Sequence, residues 1–324
     1  MSDPVIVVDL LTKDYPVGFW RPRPYRALDA LSFTVAAGEV FGCLGPNGAG
    51  KSTTLKLLMG LVSPTSGQAR MFGQSVRDVA VRRRVGFLPE NPVFYDYLTG
   101  EELLAYYGQL CGMPHREARR RAGTLLDRVG LGAERRLAIR RYSKGMVQRL
   151  GVAQALVHDP ELVILDEPMS GLDPIGRRDV RTLILSLRDE GKTILFSSHI
   201  LSDAETLCSR VAILAAGRLQ ALGSMTDLVE FSVRTWDLLL DQVDDALVER
   251  LRADHAQVTS VAQGRTQVQF DGARAPEPIL QAVSAAGARV IALQPVRETL
   301  EDVFLKHVEG KQRHPASREG GGAA

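Results

Sequence analysis

Along the N-terminal two thirds of the chain, unbroken apolar runs alternate with stretches whose apolar residues recur every three or four positions. "EVFGCLG" (residues 39–45) and "LVIL" (162–165) carry almost no polar interruption, as strands covered on both faces of a parallel sheet do. "TILFSS" (193–198) reads as a further strand. Helical spacing follows the first run in "TLKLLMG" and returns in "GEELLAYYGQL" (100–110) and "HREARRRAGTLLDRVGL" (115–131), so residues from about Pro92 to Leu137 are expected to be helix-rich.

Beyond "AAGRLQALGS" the pattern changes. "WDLLL" reads as a strand, "DDALVERLRADH" as a helix, "QVTSVAQGRTQVQF" as a hairpin turning near Gly264, "PEPILQAVSAAG" as a helix and "ARVIALQPV" as a strand. Strand–helix–strand–strand–helix–strand is the ferredoxin-like order. A last helix is expected over "TLEDVFLKHVEG" (299–310), and the polar, glycine-rich residues 310–324 are expected to be disordered.

Composition narrows the class. At 324 residues and 45% hydrophobic, the chain can bury a full α/β core and a second, smaller domain. Forty basic and 38 acidic residues leave a net charge of +2, too little for a phosphate-coating surface, so no nucleic-acid partner is expected. Three scattered cysteines, Cys43, Cys111 and Cys208, lack metal-site spacing and fit a reducing compartment. Acidic residues at the N-terminus and the lack of any run of eighteen apolar residues argue against a signal peptide and a membrane span; a cytoplasmic protein is expected.

The candidate chemistry begins at "GPNGAGKST", residues 45–53. Gly45, Gly50, Lys51 and Ser52 fit the spacing GxxxxGK(S/T), in which small residues let backbone N–H groups curl around phosphate oxygens. Asn47, Gly48, Ala49 and Thr53 complete that phosphate-binding stretch, and the helix behind it favours an anion at its N-terminus. Lys51 supplies a charge for the terminal phosphates and Ser52 a hydroxyl for Mg2+. Asp166 stands where the strand "LVIL" ends, placed to hold the same cation. Glu167, next to it, can orient and polarise an attacking water.

Five motifs in fixed order then resemble the ATP-binding-cassette (ABC) ATPases, over roughly residues 5–222. These are the phosphate loop, "VGFLPENPVFYDYLT" at the Q-loop, "YSKGM" opening a helix as the family's signature does, "SGLD" as its D-loop, and "TILFSSH" ending in a switch histidine, His199. The resemblance implies two subunits meeting head to tail around two Mg2+-ATP. Ser143, Lys144, Gly145 and Met146 would grip the partner's γ-phosphate, His199 would hold the attacking water, and Asp173 would link the two sites. Three positions depart from the family pattern: Lys144 and Met146 replace the first glycine and the glutamine of LSGGQ, and Glu90 stands at the Q-loop glutamine as a further Mg2+ ligand candidate. The family stacks adenine on an aromatic residue upstream of the loop. Tyr15 is the candidate, with Trp20 and Tyr25 of the proline-rich insertion "PVGFWRPRPYR" in competition, unless that insertion is a solvated surface loop.

The fold expected is thus an α/β P-loop NTPase core of ABC type over residues 1–225, with a helical subdomain at about 92–140, and a small α+β ferredoxin-like domain at 230–309. The function implied is that of an ATP-hydrolysing subunit working on a separate integral membrane permease, peripheral on the cytoplasmic face of the membrane. Phe94, Tyr95 and Tyr97 are candidates for the permease contact. The ending "LEDVFL" resembles the type 2 ABC exporters. The rival readings are an ABC ATPase acting on ribosomes or nucleic acid, against which the single cassette without a long coiled coil counts, and a regulatory ATP-binding protein without appreciable turnover.

Overall fold

The computed structural model describes residues 3–18, 20, 23–228, 233–254, 256–261, 264–297 and 299–302. The chain divides between Met225 and Thr226 into two compact units.

The first unit holds two sheets. Strands β1 (Ile6–Val17) and β2 (Arg23–Val35) form a long antiparallel hairpin, followed by β3 (Val40–Leu44) and helix α1 (Lys51–Leu58), then β4 (Ser66–Met71) and β5 (Gln74–Ser75). The antiparallel sheet runs β2-β1-β4-β5. Next come β6 (Val85–Leu88), α2 (Gly100–Leu110), α3 (His115–Arg128), α4 (Lys144–Ala155), β7 (Leu162–Leu165), α5 (Pro174–Asp189), β8 (Thr193–Ser198), α6 (Leu201–Leu207), β9 (Arg210–Ala215) and β10 (Arg218–Ser224). The second sheet runs β10-β9-β3-β8-β7-β6, parallel except for β10.

Every residue of β3, β7 and β8 is buried, which is why these strands read as continuous runs. Strand order puts β8 between β3 and β7, so the loop after β3 and the acidic pair after β7 open at the same edge of the sheet. On the other side of β7, Gly86 of β6 lies so close to α4 that an added Cβ would strike the Ala155 carbonyl and Pro160. This contact seats the helix that begins at Ser143.

The insertion after Tyr15 is not a free surface loop over its whole length. Pro16 faces Pro24 and Val17 faces Arg23, so the hairpin continues well into it. Two prolines are tolerated because β2 is an edge strand and β1 pairs with β4 only as far as Thr12.

The helical segment is locked by local chemistry. Thr99 and Glu102 form a reciprocal capping box at the start of α2. Ala118 and Ala122 are buried on α3, and Gly108 of α2 lies against Ala118 closely enough to leave no room for a Cβ. Arg128 joins α3 to α5 through Glu190 and Ser186.

A single turn, α7 (Met225–Leu228), precedes β11 (Val233–Asp241), α8 (Asp245–Ala253), β12 (Gln257–Val261), β13 (Arg265–Asp271), α9 (Glu277–Ala285) and β14 (Arg289–Arg297). The second unit's sheet runs β12-β13-β11-β14, antiparallel throughout, with the hairpin at Gly264. Leu247, Leu251, Ile279 and Val283 of the two helices share one core with Leu238, Leu240, Val268 and Phe270 of the sheet. This is the ferredoxin-like order. The helix expected over 299–310 lies outside the described residues except for 299–302, and the tail 310–324 lies outside them entirely. Among the described residues no helix is long and apolar enough to cross a membrane.

Two measurements check this packing. Gly86→Ala should destabilise the fold by about 1–3 kcal/mol in denaturant melts, because backbone rather than a flexible side chain stands in the way. Thiol titration of the native protein should count Cys111 alone as fast. Cys43 and Cys208 are buried, and burial pushes the Cys43 thiol up to about 12 and that of Cys208 well above its ordinary value.

Candidate active site

Glycine is required in the loop after β3 for two different reasons. At Gly45 (φ 148°) a Cβ would collide with the Leu214 carbonyl, and at Gly50 (φ 103°) it would come within 2.8 Å of the Ala27 carbonyl; both are wedged against neighbouring backbone. Gly48 (φ 81°) instead has open space around its Cβ position and lines the cleft. Behind the loop, α1 starts with no side-chain cap and no acidic residue in its first turn, which leaves its N-terminal N–H groups for an anion.

Lys51 is the first residue of α1 and is nearly buried, its side chain 5% exposed. Its ammonium donates to the carbonyls of Gly45 (2.7 Å) and Pro46 (3.2 Å) and lies 3.2 Å from Glu167 Oε1. The other carboxylate oxygen of Glu167 is 2.8 Å from His199 Nδ1. A carboxylate only accepts, so Nδ1 carries the proton of that bond. The base candidate is thus clamped between a lysine and a histidine.

The backbone beneath it is strained. Glu167 adopts φ 50°, a left-handed conformation that costs a non-glycine residue roughly 1–2 kcal/mol. Its N–H donates to Ser197 Oγ at 2.9 Å. Asp166 is buried, and its Oδ1 accepts from Ser197 Oγ at 2.6 Å and from Ser52 Oγ at 3.1 Å.

Lys51, Ser52, Glu167 and His199 share a cleft of about 530 Å³, beneath whose lining Asp166 and Ser197 are buried. Residues 47–53 form one wall, Glu90, Glu167, Ser170 and His199 another, and Tyr15 and Tyr25 the far end. The two tyrosines face each other across the β1–β2 ladder, and Lys13 sits over the Tyr15 ring at 4.9 Å. Trp20 is 91% exposed and does not line the cleft.

The residues of "YSKGM" are elsewhere. Ser143 caps α4, its Oγ accepting from the Met146 N–H at 3.3 Å while Met146 Sδ accepts from the Ser143 N–H at 3.5 Å. Met146 thereby takes the back-bonding place that a Glu or Gln fills in a capping box. Lys144 lies against Gly171, and Gly145 adjoins the Leu172 side chain. Asp173 caps α5 through the Gly176 N–H at 2.8 Å. The two turns therefore touch one another, and none of Ser143, Lys144, Gly145, Met146 or Asp173 lines the phosphate-loop cleft.

Among the described residues no three His, Cys, Asp or Glu side chains gather as a metal site. Mg2+ suits such a place, since it is commonly held by one or two protein oxygens with water and phosphates supplying the rest. Ser52 and Asp166 are adjacent oxygen donors, and Glu90 lines the same cleft, so the residues present fit the ion.

The family model for the ABC transporter matches residues 28–170. A curated ABC transporter ATP-binding protein of Nostoc sp. is 42% identical over 308 residues, covering 94% of this chain and 90% of its own. The chain belongs to the ABC transporter family. It is an ATP-binding subunit and an ATPase. A daunorubicin resistance ATP-binding protein of Streptomyces coeruleorubidus is 35% identical over 320 residues, covering 97% of this chain and 98% of its own. A solved structure, described as the ATP-binding subunit of an ABC transporter, superposes with a TM-score of 0.61 at 34% identity, over 69% of this chain and 91% of that one.

Sequence reasoning did not single out Ser197 or Ser170 in this ABC ATPase. The signal for Ser197 was present: a hydroxyl inside an apolar strand needs a partner. What that partner is depends on the neighbouring strand. If the two tyrosines form the candidate adenine platform, stacking worth about 1–3 kcal/mol predicts that Tyr15→Ala and Tyr25→Ala each raise the KM for ATP, by about 5- to 150-fold, while Tyr→Phe at either place changes it little. Steady-state hydrolysis assays read this directly.

Proposed function

We propose that two copies of this ATPase close around two Mg2+-ATP and drive a separate membrane permease, in the export direction, from the cytoplasmic face of the membrane. The observation that carries the reading is the Lys51–Glu167–His199 clamp. When the γ-phosphate reaches the loop it competes with Glu167 for the Lys51 ammonium. Exchange of that partner frees one carboxylate oxygen to take a proton from water, while His199 keeps hold of the other. The base is thus released by the arrival of its substrate. Mg2+, when bound near Ser52 and Asp166, would neutralise phosphate charge.

The exposed N-terminus of α4, with Ser143, Lys144 and Gly145, supports a second contact to phosphate made across a homodimer. Lys144 brings a cation to that contact, and Asp173 on the adjoining turn would meet the opposite site. Glu90 lies at the cleft rim, where a family member would carry glutamine, and would report Mg2+ and phosphate occupancy to the helical subdomain. Tyr95 and Tyr97 are exposed, Phe94 is half-buried, and Tyr95 packs edge-on against Tyr106. This aromatic surface supports the permease contact. The export direction and the type 2 group rest on the ending "LEDVFL" and on the resistance function in the daunorubicin relative's name.

Glu167→Gln tests the reading. Hydrolysis should fall by about 10²-fold or more with nucleotide affinity kept, and Mg2+-ATP should shift the variant to a dimer on size exclusion. Affinity purification of that variant with ATP from detergent-solubilised membranes of its host should bring down a polytopic membrane protein in equal amount. Recovery of ribosomes alone would overturn the transport reading, and undiminished turnover would overturn the role of Glu167.

A further inference from the structure

Three of the six residues of β8 are hydroxyl-bearing and buried: Thr193, Ser197 and Ser198. Two have local tasks. Thr193 Oγ1 accepts from the Gly38 N–H, and Ser198 Oγ accepts from the Ile200 N–H, each holding a turn. Ser197 is different. It has no exposed surface, and both of its hydrogen bonds go to the acidic pair on the neighbouring strand end.

The direction of those bonds is dictated by chemistry. The Glu167 amide can only donate and the Asp166 carboxylate oxygen can only accept, so the hydroxyl takes one hydrogen bond and gives its proton to the other. At 2.6 Å the bond to Asp166 has the length of a charge-assisted one. The same Asp166 oxygen also receives Ser52, the first hydroxyl behind Lys51. Ser52, Asp166, Ser197 and the Glu167 backbone therefore form one hydrogen-bonded chain. It runs from the phosphate-loop helix to the strained residue that carries the base.

We propose that Ser197 is a positioning residue of the ATPase reaction, fixing the Asp166 carboxylate toward the cation and the Glu167 backbone toward the water. This inference rests on the ATPase assignment and adds to it a residue to which none of the five motifs assigns a role. A hydroxyl is needed, not merely a small side chain. Alanine would leave a buried N–H and a buried carboxylate oxygen each short of one partner. Threonine keeps the oxygen and suits a strand.

The test uses the full chain as wild type, Ser197→Ala and Ser197→Thr, with three readouts. These are kcat and KM for ATP, the affinity for a fluorescent ATP analogue in EDTA and in Mg2+, and the melting temperature. Ser197→Ala should lower kcat by about 10–100-fold, the usual cost of removing such a supporting partner, with KM little changed. Its nucleotide affinity in EDTA should match the wild type, while the gain in affinity on adding Mg2+ shrinks. Ser197→Thr should recover most of both losses. Retention of kcat within about twofold together with an undiminished Mg2+ gain would overturn the proposal. So would a threonine variant as impaired as alanine, or an alanine variant that loses nucleotide affinity in EDTA and melting temperature together, since that is the behaviour of a merely structural residue.

Discussion

Lys51 carries its charge into a nearly closed place, and the surrounding structure is arranged to make that tolerable. An isolated ammonium there would be costly to desolvate, so it needs partners on every accessible side. Two are carbonyls that the loop turns inward, which the loop can do only because its backbone enters regions open to glycine. The third is Glu167, brought from another strand. Phosphate is an anionic partner of the same kind as this carboxylate, which is the basis of the proposed exchange at Lys51.

The sheet order gives this arrangement its precision. β8 separates the loop strand from the acidic strand: Ser197 near its end bonds both Asp166 and Glu167, and His199 just beyond it bonds Glu167. A parallel sheet buried on both faces allows little sliding, so the packing of Phe41, Leu44, Ile164 and Phe196 holds the strand ends in place and the hydrogen bonds of the site act on that frame. The strain at Glu167 persists for that reason.

At the other end of the cleft the demands are looser. Tyr15 and Tyr25 sit where the hairpin has outrun its third strand, and a flat aromatic surface needs no fixed donor or acceptor. The turns at Ser143 and Asp173 are capped, close to one another and outside the cleft lining. One chain therefore keeps its phosphate-loop cleft and its two capped turns on different surfaces.

Much of this was legible in the residues alone. Loop glycines, the lysine, the apolar strands and the α+β order of the second unit depend on local preference and short-range periodicity, which a single chain displays directly. The hairpin turn near Gly264 is read the same way. Other features required the fold. That Pro16 and Pro24 belong to paired strands followed from β2 being an edge. That Tyr25 shares the cleft followed from the hairpin register that sets it opposite Tyr15, whereas Trp20 lies beyond the last pair, Val17–Arg23. That Ser197 bonds Asp166 and Glu167, 31 and 30 positions away in sequence, followed from strand order. The sequence determined which groups can do the chemistry. Tertiary structure decided which of them meet, because contacts between strands distant in the chain are set by the packing of the whole sheet and leave no local pattern to read.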